Sequence, residues 1–352
     1  MANVYLKKID AFKKYLKTKK FNGYVTSDVA EIEYFTGVAV EKSEANVLLL
    51  TPKENIVFTK PLAFASLKKL MPFMSVVLAK QAHSVDIAQY ILKKKIKNIA
   101  FDKLKENYAA GEVYVTAGFI LAQELTLEPR VVKDETEIKN LSKACQIAYN
   151  AFEHVKPLIK TGMTELQVAA KLEEYMKSNG ARATSFRTVV AFGENGADAH
   201  HVTGETKLKN EMPILMDFGC IYKGYCSDIT RSWWHGKKPS AEYNKVWKIV
   251  SHAKDMTIKH TKPGMSAAQS DKICRDIVEA AGYGPFIHST GHGIGLNIHE
   301  APFLRPGGTE EILKPNNVFT VEPGIYIQGK FGIRLEDSVL MTKTGLKILT
   351  KK

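Results

Sequence analysis

The feature that most constrains the fold is an internal repeat in the second half of the chain. The segment 160–167, KTGMTELQ, recurs at 262–269 as KPGMSAAQ, with Lys, Gly, Met and Gln in corresponding positions. The fifth residue of each copy, Thr or Ser, is a typical helix N-cap, and each helical pattern runs to a glycine, Gly180 or Gly282. The repeat therefore predicts a domain of two related α+β halves, with a cleft between them as a natural place for a site.

The first part of the chain alternates helical and strand patterns. An amphipathic stretch at 4–16 and helical stretches near 83–95 and 111–124 accompany short apolar runs. These runs lie at 23–26, 46–51, 55–59, 75–78 and 98–101. The alternation predicts an α/β domain with a largely buried sheet. It contains no paired carboxylate and histidine strings, so we assign it no chemistry.

The boundary between the two parts is marked by a change of pattern. Residues 126–134 are typical of a linker, and Asp134 begins a helix with a capping-box signature. We therefore expect two domains, at 1–130 and 131–352.

Composition excludes several classes of protein. The chain has 352 residues, 45% of them hydrophobic and 25% charged, and no apolar run approaches the roughly 20 residues of a membrane helix. Its four cysteines form no Cys-x-x-Cys pair, which disfavours a thiolate zinc site and favours a reducing cytoplasm. The net charge of +13 comes mostly from lysine, so we expect a solvated surface and no nucleic-acid partner.

Acidic residues late in the chain stand inside short distinctive strings. Asp217 and Asp228 flank a turn-like segment, so we expect a β-hairpin in which the two face each other. Glu322 and Glu336 lie in two further strand-like runs. The strings are MDFG at 216–219, CSDITR at 226–231, GHGIGLNIHE at 291–300, VEPGIY at 321–326 and GIRLED at 332–337.

Several carboxylates on apolar strands are costly unless something neutralises them. Alternation along the strand places Arg334 and Glu336 on one face and directs Asp337 to the other. Four carboxylates with one imidazole, His292, are a ligand set for two divalent cations, with Mn, Co or Fe favoured over Zn. Such a pair ionises water near pH 7, so we expect a hydrolase that uses a metal-bridging hydroxide.

At these residues the chain resembles the prolidase and aminopeptidase P family of pita-bread metallopeptidases. The resemblance covers the whole length and implies a creatinase-type N-terminal domain before a pita-bread catalytic domain with internal pseudo-twofold duplication. It implies an enzyme that hydrolyses the bond between an N-terminal residue and proline, as an Xaa-Pro aminopeptidase or an Xaa-Pro dipeptidase. It also implies a homodimer and a peptide or dipeptide substrate with proline in second place.

The resemblance assigns a role to each matching residue. Asp217 binds one metal ion, Asp228 and Glu336 bridge the two, and His292 and Glu322 complete the other. Glu322 is also the general base. His200, His299 and Tyr326 contact the substrate. Arg334 supports the ligand carboxylates.

Some alternatives stay open at this stage. His201 follows His200 directly, and we expect His200 to face the cleft and His201 to lie at the surface. His252, His260 and His288 are expected to be structural or exposed. The competing functions are a methionine aminopeptidase, a metal-free amidinohydrolase of the creatinase type, and a non-catalytic pita-bread binding module.

Overall fold

A computed structural model of the protein describes residues 2–123 and 125–351. The chain forms two compact units, Met1–Pro129 and Arg130–Lys352. No helix within residues 2–123 and 125–351 combines the length and the apolar character that a membrane span requires.

The first unit is built around a six-stranded mixed sheet in the order β4-β3-β2-β1-β5-β6. Its strands are β1 (Gly23–Thr26), β2 (Val47–Leu50), β3 (Asn55–Thr59), β4 (Ser75–Leu78), β5 (Ile99–Asp102) and β6 (Ile120–Ala122). Its helices are α1 (Ala2–Thr18), α2 (Val29–Thr36), α3 (Pro61–Leu70), α4 (His83–Lys94) and α5 (Tyr108–Thr116). Buried apolar residues of the strands pack against α4 and α5. The five predicted strands and the α/β class are confirmed.

Two sequence-based expectations at the end of this unit are wrong. The predicted helix 111–124 stops at Thr116, because Gly118 has a φ of 82° that ends the helix. The residues that follow it form β6, which pairs in parallel with β5. The expected linker 126–134 contains a short helix, α6 (Leu127–Val131), whose Pro129 lies in the first turn, where no N–H is needed.

Four long helices shape the second unit, namely α7 (Glu135–Val155), α8 (Glu165–Ser178), α9 (Ala241–His260) and α10 (Ala267–Ala280). Asp134 caps α7 through the predicted capping box. Capping boxes also begin α8 and α10 at Thr164 and Ser266, the two corresponding positions of the repeat. Gly180 and Gly282, just beyond these two helices, have φ values of 99° and 77°.

The strands of the second unit form four small sheets. They are ordered β12-β9-β8, β11-β10-β7, β14-β13-β15-β18-β19 and β16-β17. The first seven, in chain order, are β7 (Ala183–Thr184), β8 (Val189–Phe192), β9 (Met212–Phe218), β10 (Cys220–Tyr222), β11 (Tyr225–Cys226), β12 (Ile229–His235) and β13 (Gly291–Gly293). The others are β14 (Glu300–Leu304), β15 (Val318–Val321), β16 (Gly324–Ile327), β17 (Phe331–Arg334), β18 (Asp337–Met341) and β19 (Leu346–Ile348).

The repeat in the sequence is also a repeat of backbone hydrogen bonds. The N–H of Gly162 donates to the carbonyl of Leu208 at 2.8 Å, and that of Gly264 donates to Leu313 at 2.8 Å. The two turns before α8 and α10 therefore have the same construction. Each helix packs over strands of its own half, α8 over β8 and α10 over β14.

The hairpin that carries the first two acids has a different register from the predicted one. Asp217 lies opposite Thr230 rather than Asp228. The reason is the turn, which consists of Lys223 and Gly224 with φ values of 47° and 85° and is centred one residue later than expected. Asp228 precedes Thr230 by two residues, so it still lies diagonally across from Asp217.

The predicted strand 332–339 is interrupted at Glu336. β17 ends at Arg334 and β18 begins at Asp337, and the N–H of Glu336 donates instead to the carbonyl of Thr230 at 3.0 Å. This bond holds the fourth acid beside β12. Asp337 points away from it, as predicted, and pairs with Arg231 at 2.8 Å.

Candidate metal centre

The expected ligands line one cavity of about 470 Å³ in the second unit. They come from five places in the chain, at strand ends or in the short breaks between strands. Asp217 is on β9, Asp228 precedes β12, His292 is on β13, Glu322 follows β15 and Glu336 separates β17 from β18.

The side chains approach one another closely. Ligand atoms of Asp228, His292 and Glu336 all lie within 4.8 Å of one another. The His292 Nε2 atom is 3.6 Å from Asp228 Oδ2 and 3.3 Å from Glu322 Oε1. Residues separated by more than 100 positions in the sequence therefore share a volume that one or two cations can occupy.

The crowded acids are costly in their charged form. Burial raises the pKa of Asp228 well above its usual value, and the carboxylates of Glu336 and Asp217 raise it further. Burial also raises the pKa of Glu336 well above its usual value, with Glu322 and Asp217 adding to the effect. Burial likewise raises the pKa of Glu322. Bound cations reverse this penalty, because they favour the ionised carboxylates.

The donor atoms present fit divalent cations. Asp217 Oδ1 and Glu336 Oε1 are buried and have no hydrogen-bond partner among the described residues. His292 Nδ1 lies 3.2 Å from the carbonyl oxygen of Gly293. Because a carbonyl oxygen can only accept, this contact assigns the proton to Nδ1 and leaves the lone pair of Nε2 directed at the acids. Buried acceptors without donors are expected where a metal ion supplies the missing partner.

Arg334 supports the acids from the cavity wall. Its side chain is 5% exposed, and its Nη2 atom donates to Asp217 Oδ2 at 2.5 Å. The Nε atom donates to the Thr230 hydroxyl at 3.2 Å, and that hydroxyl donates to Glu336 Oε2 at 2.6 Å. One guanidinium therefore fixes the orientation of two expected ligands.

Tyr326 does not line this cavity, in contrast to the substrate contact that the resemblance implied. Its hydroxyl accepts a hydrogen bond from Arg334 Nη1 at 2.7 Å and lies 3.1 Å from His288 Nε2. The Tyr326 hydroxyl is therefore engaged by Arg334 and His288. Tyr326 therefore supports Arg334 rather than facing the open space.

The structure places His200, His201 and His299 around the cavity. His200 and His201 both line the cavity, and His200 is exposed, whereas His201 Nε2 is held 2.8 Å from Glu165 Oε2. His201 is therefore a partly buried cavity residue and not the surface residue expected. The ring of His299 lies 4.4 Å from that of His292 in an edge-on arrangement.

His288, which was expected from the sequence to be structural or exposed, is a cavity residue. It lines the cavity and lies close to Tyr326, and burial lowers its pKa, which favours the neutral imidazole. Its position four residues before His292, in the string HSTGH, was the available signal.

A fully buried carboxylate outside the ligand set organises the loop that carries His200. Glu165, the first residue of α8, accepts hydrogen bonds from the N–H groups of Phe192 and Gly204, both at 2.9 Å. It also accepts from the side-chain amide of Asn195 at 2.8 Å. With the contact to His201, four groups from β8 and the following loop converge on this one side chain.

Comparison with known proteins adds two family matches. Residues 139–343 match the family described as metallopeptidase family M24. Residues 8–112 match the creatinase/prolidase N-terminal domain.

Individual relatives are similar over much or all of the chain. An Xaa-Pro dipeptidase of Pyrococcus furiosus is 41% identical over 223 residues, which are 63% of this chain and 64% of that protein. The solved structure of an Xaa-Pro dipeptidase from Bacillus anthracis has a TM-score of 0.92 at 32% identity, covering 99% of this chain and 98% of its own. An X-Pro aminopeptidase from Thermotoga maritima has a TM-score of 0.86 at 31% identity, covering 96% and 98%.

Proposed function

The chain belongs to metallopeptidase family M24, and on that premise we propose that it is a two-metal peptidase specific for a bond that precedes proline. Two buried and two half-buried carboxylates converge with His292 in one cavity, and this is the observation that carries the proposal. The similarity to an Xaa-Pro dipeptidase and to an X-Pro aminopeptidase supports the proline specificity. The substrate in this proposal is a peptide or dipeptide with proline in second place.

In this proposal two divalent cations, with manganese favoured over cobalt, zinc or iron, bind the five converging side chains. When bound, they supply Lewis acidity and an ionised water near neutral pH. The five ligands are Asp217, Asp228, His292, Glu322 and Glu336.

The protein's own groups then handle protons and orientation. Glu322 accepts a proton and delivers it to the leaving nitrogen. His200 and His299 stand at the cavity wall, where an imidazole N–H can stabilise the developing oxyanion of the scissile carbonyl. Arg334 holds Asp217 and, through Thr230, Glu336 in place.

Asp228→Ala tests the two-metal assignment. The variant removes a carboxylate proposed to bind both ions, so we expect metal content and cleavage of Xaa-Pro substrates to fall together below detection. Elemental analysis and a peptidase assay measure the two quantities, and the exposed Asp255→Ala is the matched control. Full activity in Asp228→Ala contradicts the assignment.

His200→Ala separates substrate contact from metal binding. We expect turnover to fall by about two orders of magnitude, the typical cost of removing one oxyanion donor, while metal content stays unchanged. Equal loss of metal and activity shows that His200 acts as a ligand instead.

The proposal extends to organisation and location. We assign the catalytic domain to 131–352 and the N-terminal domain to 1–130, and we propose a homodimer in the cytoplasm. The four cysteines are free and buried, which suits a reducing compartment. Light scattering on the purified protein tests the dimer.

A further inference from the structure

The cavity wall contains two arginines, and they differ in how they are used. Arg334 is buried and engaged with Asp217, Thr230 and Tyr326. Arg187 is exposed, lines the same cavity, and makes no hydrogen bond or ion pair within residues 130–351. Arg187 therefore offers a permanent positive charge to a substrate that enters the cavity.

Arg187 stands close to the expected metal centre. It comes two residues before Val189, which lies opposite Asp217 in the pairing of β8 with β9. Two extended residues span about 7 Å. In an Xaa-Pro dipeptide only three bonds separate the scissile carbonyl carbon from the proline carboxylate carbon, a distance of less than about 4 Å. A substrate with its carbonyl at the centre thus has this carboxylate within the region that an arginine side chain can reach.

Apolar side chains also line the cavity that contains Arg187. Phe186, Ile298 and Phe303 line the cavity, and each is partly buried. Apolar walls with a few well-placed polar groups are the usual design of a small-molecule site. When the pyrrolidine ring of the substrate proline packs against these side chains, its carboxylate can pair with the guanidinium of Arg187.

We propose that Arg187 binds the free carboxylate of the substrate and thereby makes an Xaa-Pro dipeptide, rather than a longer peptide, the preferred substrate. This inference rests on the proposed function. A guanidinium presents a planar pair of donors that fits a carboxylate in two-point contact. A longer peptide offers only a neutral amide at the same place, so it forgoes the charged contact.

Rate measurements on two substrates test the proposal. Gly-Pro and Gly-Pro amide share a scissile bond and differ at the carboxylate, and Arg187→Met keeps an unbranched stem without the charge. We expect Arg187→Met to lower kcat/KM for Gly-Pro roughly 10- to 100-fold, the cost of one charged hydrogen-bonding pair. The amide should change by less than about 3-fold, and Arg187→Lys should recover part of the loss. Arg182→Met, an exposed arginine outside the cavity wall, is the control.

The outcomes separate the two proposals. Equal loss on both substrates, or no loss on Gly-Pro, overturns the role of Arg187 while leaving an Xaa-Pro peptidase in place. If the manganese-loaded wild type cleaves neither substrate, the proposed function fails, and calorimetric binding of proline against prolinamide then decides the role of Arg187. Tighter binding of proline that disappears in Arg187→Met supports it, and equal or absent binding of the two overturns it.

Discussion

Glu165 shows how a single residue outside the proposed metal centre can position side chains of the cavity wall. Its carboxylate accepts from four donors, two of them backbone N–H groups, and the loop it organises carries both His200 and His201. A glutamine amide retains one acceptor oxygen and presents an NH₂ group to the remaining donors. Glu165 is therefore a positioning residue for the histidines.

Glu165→Gln should lower kcat about 10-fold while metal content remains that of the wild type. We expect no further loss when Glu165→Gln is added to His200→Ala, because the carboxylate acts by holding the loop on which His200 lies. Steady-state kinetics of the single and double variants measure this. Additive losses in the double variant contradict the positioning role, and a lower melting temperature alone indicates a structural role.

Residue identity indicated the chemistry proposed for the site but not the place of each side chain. The acids in distinctive strings could be identified from the sequence, because carboxylates on apolar strands are costly unless something neutralises them. Tyr326 and His288 could not be placed, because their hydrogen bond joins residues 38 positions apart through tertiary structure. Glu165 gave no signal beyond that of an ordinary first-turn acid in a helix.

The secondary-structure elements agree with the predictions from sequence where bonds between nearby residues determine them. They differ from the predictions where pairing between strands determines them. The N-caps at Asp134, Thr164 and Ser266 form as predicted, because each bond lies within three residues. The hairpin register was wrong because a one-residue shift of the turn moves every cross-strand pair by two positions. β6 was missed because a three-residue strand depends on the neighbouring strand for its existence.

The connection between β5 and α5 contains an acid that should make the first unit sensitive to pH. Burial, together with Glu31 and Asp28, raises the pKa of Glu106 to about 7, although hydrogen bonding from Ser27 lowers it. The folded unit therefore holds the Glu106 proton more tightly than the unfolded chain does. Stability from this group is present below the unfolded pKa of 4.5 and decreases as pH rises toward about 7.

Glu106→Gln stays neutral and should remove that loss. We expect the variant to be more stable than the wild type by about 1 kcal/mol at pH 8, after allowance for partial exposure, and equal to it near pH 4.5. Amide hydrogen exchange in β1 and β5 reports the difference, with the exposed Glu112→Gln as control. The same difference at both pH values contradicts the assignment.

At the scale of the whole molecule, the fold class was predictable and the site geometry was not. The repeat and the alternating first part indicated the classes of both units, because periodicity and duplication are visible in one dimension. Ligands from five separate segments meet only after the sheets of the second unit form, and no local pattern encodes that meeting. The identities of the ligands could therefore be proposed from the sequence, whereas the support from Arg334, Thr230 and Glu165 required the structure.

The central claim is that five side chains, distant in sequence, bind a pair of divalent cations. An anomalous difference map from crystals grown with manganese tests it most directly. We expect two peaks in the cavity, with Asp217, Asp228, His292, Glu322 and Glu336 as the protein ligands. A map with no peak there, or with ions bound by other residues, contradicts it.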